Sequence, residues 1–90
     1  MFYYVYVLQS KLDRKFYTGM TNNLRERFQS HRYGKVNSTK NRRPLELIYF
    51  EGCLFKKDAK EREIYLKTAW GKRYIKNRIK HYLSREREAG

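Results

Sequence analysis

The chain is short of cysteine, proline and acid and has no long apolar run, and most of these shortages close off a class of protein. Cys53 is the only cysteine, so neither an internal disulfide nor a cysteine-built zinc knuckle can form. Beside Gly52, Leu54 and Phe55 it reads as a small hydrophobe at the end of a strand. The two histidines, His31 and His81, lie far apart with no metal-ligand spacing between them. The most apolar stretch, Met1 to Leu8, falls far short of the roughly 20 residues a membrane span needs. It has no basic region ahead and no small-residue cleavage site behind, so it reads as a strand rather than a signal peptide. These shortages lead to the expectation of a soluble cytoplasmic protein with no membrane partner.

What is present is aromatic and basic. Nine Tyr, five Phe and one Trp in 90 residues supply core material that a disordered chain lacks. The length allows one domain with a thin stability margin. Lys and Arg number 22 against 9 Asp and Glu, a net charge of +13. Such a surplus repels itself in the folded state and calls for a polyanionic partner, nucleic acid first.

Phe2 to Leu8 reads as a strand buried on both faces, and Phe16 to Met20 as its hairpin partner across the polar turn 11–15. Thr21 or Asn22 can cap a helix to about Arg32, which Tyr33-Gly34 stops. Residues 35–43 (KVNSTKNRR) form a cationic loop, and Pro44 opens a third strand, Leu45 to Glu51. A second helix runs from Lys57 or Asp58 to about Ala69, and Gly71 separates it from a third, Lys72 to Leu83. The expected fold is α+β, a small three-stranded antiparallel-type sheet flanked by three helices (β-β-α-β-α-α). One domain occupies 1–84, followed by a charged tail, 85–90.

Two charges fall where the core should be. Leu24 and Phe28 define the buried stripe of the first helix, and Arg27 and His31 lie within about 60° of Leu24 on it. In the second helix Ala59, Leu66 and Trp70 define the inner stripe, with Glu63 about 40° from Ala59. Arg27 could snorkel at the stripe edge and Glu63 could pair with Lys67 on the surface. Two inward charges from different helices point instead to a shared site. One carboxylate can hold a Mg²⁺ that keeps most of its waters, and one Arg can clamp the same phosphate. For the base, the chain offers tyrosines.

With these residues in place, the sequence resembles the GIY-YIG nuclease family, in particular its small single-domain bacterial members. The name motif is Tyr4-Val5-Tyr6, then ten residues, then Tyr17-Thr18-Gly19. It continues as Asn23-Leu24-x-x-Arg27 with His31 one turn on, then Ala59-x-x-x-Glu63 and Gly71-Lys72-Arg73-Tyr74 with Asn77. Tyr4 stands where the motif name has Gly, and Thr18 where it has Ile. The resemblance implies an endonuclease cutting DNA with a single Mg²⁺ or Mn²⁺. Tyr6 or Tyr17 would take the proton from the attacking water, Arg27 would hold the phosphate and His31 would relay a proton. Glu63 would be the sole protein ligand of the metal, and Gly19 would let the backbone approach the phosphate. Asn77 would contact phosphate or fix a neighbour, although a third helix burying Ile75, Ile79 and Leu83 turns it about 160° away from Ile79.

Larger relatives, such as the incision subunit of nucleotide-excision repair, carry extra domains that select DNA. Target choice here would fall to the module itself, to Lys35, Lys40, Arg42 and Arg43 of the cationic loop, or to a protein partner. RNA as substrate and a homodimer are left open. A second function class also fits the charge: a non-catalytic nucleic-acid-binding module on a nuclease fold, with Tyr33 available for stacking. A basic ribosomal protein would fit the charge as well but would explain neither Arg27 nor Glu63.

Overall fold

The computed structural model describes residues 1–85. Three antiparallel strands form one sheet in the order β2-β1-β3: β1 (Tyr3–Ser10), β2 (Phe16–Thr21) and β3 (Leu45–Cys53). The central strand is the most apolar, as it must be when both faces are covered. Val5 and Val7 pack with Ala59, Leu66 and Ile75 on one face, and Tyr6 and Leu8 pack with Leu45, Leu24 and Phe28 on the other. Helix α1 (Leu24–Arg32) serves the second face, while α2 (Lys56–Lys67) and α3 (Ala69–Arg78) serve the first. The α+β class and three-stranded sheet therefore stand as expected.

The hairpin turn closes with Ser10 N–H donating to the Lys15 carbonyl at 3.0 Å, and with Arg14 in the left-handed region at φ 64°. The Ser10 hydroxyl donates to the Arg42 carbonyl at 2.7 Å and ties the turn to the loop before β3. The cap of the first helix is neither Thr21 nor Asn22 but the next residue, Asn23, which accepts from Glu26 N–H at 3.1 Å.

Three expectations need correction. The break between the second and third helices falls at Thr68, not Gly71. Thr68 caps α3 by accepting from Gly71 N–H at 3.1 Å, and Gly71 lies inside that helix against the backbone of Tyr65 and Leu66. Trp70 thus belongs to α3 and is 69% exposed, off the inner stripe of α2. The third helix is kinked at Ile79, with a last turn α4 (Lys80–Leu83), although the Ile79 N–H to Ile75 carbonyl and Leu83 N–H to Ile79 carbonyl bonds carry across it. Of the charged tail only Arg85 is described, stacked on Tyr82 at 3.8 Å; 86–90 lie outside the described residues. Among the described residues no helix is long and apolar enough to cross a membrane.

Candidate active site

Tyr6 stands directly opposite Gly19 in the β1–β2 ladder. The cross-strand neighbour has no side chain, so the Tyr6 ring lies down over it. A methyl built on Gly19 would sit 2.5 Å from Tyr6 Cζ. The ring is 1% exposed, and its hydroxyl meets two residues of α1. His31 Nε2 is 2.9 Å away, and Arg27 Nε donates to the same oxygen at 3.4 Å. Arg27 and His31 are one turn apart, so the helical period that places them on the inner stripe also aims both at one atom. Tyr17, one strand over, packs its ring against His31 with centroids 5.2 Å apart.

The far nitrogen of His31 is also engaged. Nδ1 lies 2.8 Å from the hydroxyl of Thr39, and both residues are fully buried. Burial first, then the Arg27 charge, push the His31 pKa down to about 4, so the imidazole is neutral at pH 7. Burial raises Tyr6 above the usual phenol range, against the Arg27 hydrogen bond, while the nearby Tyr17 and Glu63 also raise it. Arg27 is held above its ordinary value, chiefly by its bond to Tyr6 and secondarily by Tyr17. The resting site is therefore a protonated phenol, a neutral imidazole and a guanidinium.

Glu63 comes from α2, on the other side of the sheet. It is 7% exposed, with Lys60 Nζ at 3.0 Å on one oxygen and Lys67 Nζ at 3.4 Å on the other. The inward placement and the Lys67 pair are thus both present. No cluster of three or more His, Cys, Asp or Glu able to hold a metal occurs among the described residues. A single buried carboxylate suits a cation that keeps most of its waters and rests on substrate phosphate, which is how Mg²⁺ binds. The two lysines are more than half exposed and free to swing off its oxygens. The donor set fits such an ion.

A family model of the GIY-YIG catalytic domain matches residues 2–77. The chain belongs to the GIY-YIG family. This is a family of nucleases, which fits a site of tyrosines, an arginine and one acid. Among relatives of this GIY-YIG domain, a UPF0213 protein of Clostridium perfringens is 45% identical over 65 residues, covering 71% of this chain and 69% of its own. A UPF0213 protein of Staphylococcus haemolyticus is 42% identical over 67 residues, covering 73% and 80%. The solution structure of a UPF0213 protein of Bacillus halodurans, 29% identical, has a TM-score of 0.56 over 88% of this chain and 86% of that one.

The remaining candidate residues of the GIY-YIG domain lie apart from this cluster. Lys35 and Lys40 are exposed on the loop after α1. Arg43 folds back over Gly34, and its Nε donates to the Lys40 carbonyl at 2.9 Å. Arg42 is half-buried and turns toward the β1–β2 hairpin instead. Asn77 is exposed on α3, two residues past buried Ile75. The loop itself is more ordered than a cationic linker. It contains a 3₁₀ turn, Lys40–Arg42, and delivers Thr39 into the core. Thr39 went unnoticed in the sequence because a lone threonine in a polar loop has no period. The usable signal was indirect: an inward His31 needs a partner at each ring nitrogen.

Proposed function

We propose that this domain hydrolyses phosphodiester bonds of DNA, one strand per event, with one divalent metal held by Glu63. The observation that carries the reading is the Tyr6 hydroxyl, fixed between His31 Nε2 at 2.9 Å and Arg27 Nε at 3.4 Å. A phenol that is protonated at rest can accept a proton only by giving one away. With Nδ1–H donating to Thr39, Nε2 is free to receive it. As water attacks phosphorus, its proton passes to the Tyr6 oxygen, and the Tyr6 proton passes to His31 Nε2. The bond to the leaving oxygen breaks, and solvent protonates that oxygen. Arg27 holds the phosphate and stabilises the charge that grows on it, an effect worth on the order of 10²–10³ in rate per donor. The metal, when bound at Glu63, supplies Lewis-acid stabilisation of the same charge. Tyr17 packs its ring against His31 and keeps the imidazole in place.

The two lysines on Glu63 give the non-catalytic binding module its one specific support, since they occupy the oxygens a metal would need. Cleavage decides between the two. Labelled single-stranded, duplex, flap and four-way-junction DNA, and RNA, are incubated in Mg²⁺ or Mn²⁺ with the parent and with Glu63→Gln. Metal-dependent cutting by the parent that is lost in Glu63→Gln supports the nuclease, and the preferred form identifies its substrate, including any role in repair. Binding of these nucleic acids without cutting in either metal overturns the nuclease reading.

A further inference from the structure

A second basic feature lies outside the catalytic cluster. The β1–β2 turn, the 3₁₀ turn and α3 enclose a groove of about 750 Å³ lined by Arg14, Lys15, Arg42, Lys72 and Lys76, with Phe16 on its wall. The one acid lining it among the described residues, Asp13, accepts from Lys15 N–H at 2.9 Å and is held below its ordinary value by that bond first, with smaller contributions from the Arg42 and Lys15 charges. None of the five cations has an ion-pair partner among the described residues.

Two choices in this groove work against the stability of the fold. Lys72 and Lys76 are one turn apart on α3, a like-charged i,i+4 pair that repels itself. Among the described residues Lys76 is steadied only by the Phe16 ring, 6.0 Å from its Nζ. Arg14 takes φ 64°, where Gly or Asn would be less strained. Unpaired cations kept at such positions mark an anion site. The groove also leads to the catalytic cluster. Lys72 and Lys67 flank the next cavity along β2 with Phe16, Tyr17 and Thr18, and Lys67 is paired to Glu63.

We propose, on the basis of the nuclease reading above, that this groove is the track for the phosphodiester backbone flanking the cleaved bond. One strand leaves the Tyr17–Glu63 region along the β2 edge, passes Lys72 and Lys76, and reaches Arg14, Lys15 and Arg42 at the hairpin turn. Strand capture thus belongs mainly to the hairpin and α3, and the loop after α1 contributes Arg42 alone.

The test measures binding apart from cutting. Kd and its salt dependence are determined for a fluorescein-labelled single strand and its duplex, without metal, in a Glu63→Gln background. The Lys72→Ala/Lys76→Ala double variant is compared with Lys56→Ala/Lys57→Ala, which removes equal charge at the exposed start of α2. The groove variant is expected to raise Kd roughly tenfold or more at ~0.1 M salt and to lower the duplex salt slope by about two. The α2 variant should stay within about twofold of the parent. In cleavage with Glu63 restored, the same double substitution should raise KM and keep kcat, as loss of uniform binding does. Equal weakening by both doubles, or none by the groove double, overturns the track. A parent that binds through the groove without cutting overturns the nuclease reading and leaves the groove standing.

Discussion

One methyl added at Gly19 probes the site at its tightest contact. In Gly19→Ala the new carbon would stand 2.5 Å from Tyr6 Cζ, inside the distance any real Cβ keeps. Ordinary contact begins at 3.4 Å, so the ring must retreat by about 1 Å, and at 1% exposed it can do so only by displacing its packed neighbours. Crowding of this kind costs about 1–3 kcal/mol. Replacing a strand glycine by alanine returns roughly 0.5–1 kcal/mol. The net loss is near 1 kcal/mol, a fall of roughly 4–8 °C in Tm for a domain of this size. Activity should suffer far more. A shift of about 1 Å stretches both hydroxyl contacts and costs on the order of 10² in rate. The assay pairs single-turnover cleavage of the preferred DNA at saturating enzyme with a circular-dichroism melt. Because both changes act through one hydroxyl, Gly19→Ala/Tyr6→Phe should be no slower than Tyr6→Phe alone. A Gly19→Ala variant that keeps its rate within about threefold of the parent would refute the role given to Tyr6.

Further expectations follow from the same geometry. Thr39→Val leaves His31 Nδ1 buried without a partner, which should cost about 1–3 kcal/mol and slow cleavage; Thr39→Ser should restore both, and failure of that rescue would remove Thr39 as the group that positions His31. Folding holds the His31 pKa at about 4, below the ordinary 6.5, so the unfolded chain binds the extra proton between these values. The stability this contributes, on the order of 3 kcal/mol, is complete above pH 6.5 and is lost as the pH falls toward 4. Urea midpoints that stay flat from pH 7 to 4.5 would contradict it. Gly71→Ala sets the gain in helix propensity, about 1 kcal/mol, against a methyl driven into the Tyr65 carbonyl and the Leu66 backbone, 2.8 Å from Leu66 C. Backbone cannot rotate away as a side chain can, so we expect a net loss of about 1–2 kcal/mol and a lower Tm.

The parts of the molecule legible in the sequence are those with a period. The unbroken aromatic and β-branched run of β1 announced a strand covered on both faces, and the 3.6-residue stripe of α1 put Arg27 and His31 on its inner face. Glu63 was marked in the same way, four residues from Ala59 and buried beside it. What escaped was set by contacts between segments distant in the chain. Gly71 looked like a helix stop because glycine usually is one; here it lies within α3 because that helix packs against the end of α2. Trp70 followed the α2 stripe only if the helix continued, and the Thr68 cap ends it first. Thr39 and the basic groove have no linear signature. One depends on the loop folding under α1, and the other gathers Arg14, Arg42 and Lys76 from the hairpin turn, the 3₁₀ turn and α3.

So small a domain has little interior, and its candidate site residues make up part of it. Tyr6, His31, Thr39 and Glu63 are all buried, so truncation to alanine would confuse lost packing with lost chemistry. Glu63→Gln separates the two. The change keeps the volume and removes a buried charge whose lysine partners are more than half exposed. Such ion pairs contribute about 0–1 kcal/mol, and removing a charge from the interior relieves its desolvation. Glu63→Gln is therefore expected to leave Tm within a few degrees of the parent, or to raise it, while abolishing metal-dependent cutting. A residue that stability could spare is one kept for chemistry, the usual trade at an active site. If Glu63→Gln instead lowers Tm by roughly 10 °C, beyond what about 1 kcal/mol accounts for, the carboxylate is an anchor for Lys60 and Lys67. The inward turn of Glu63 then loses its value as evidence for a metal.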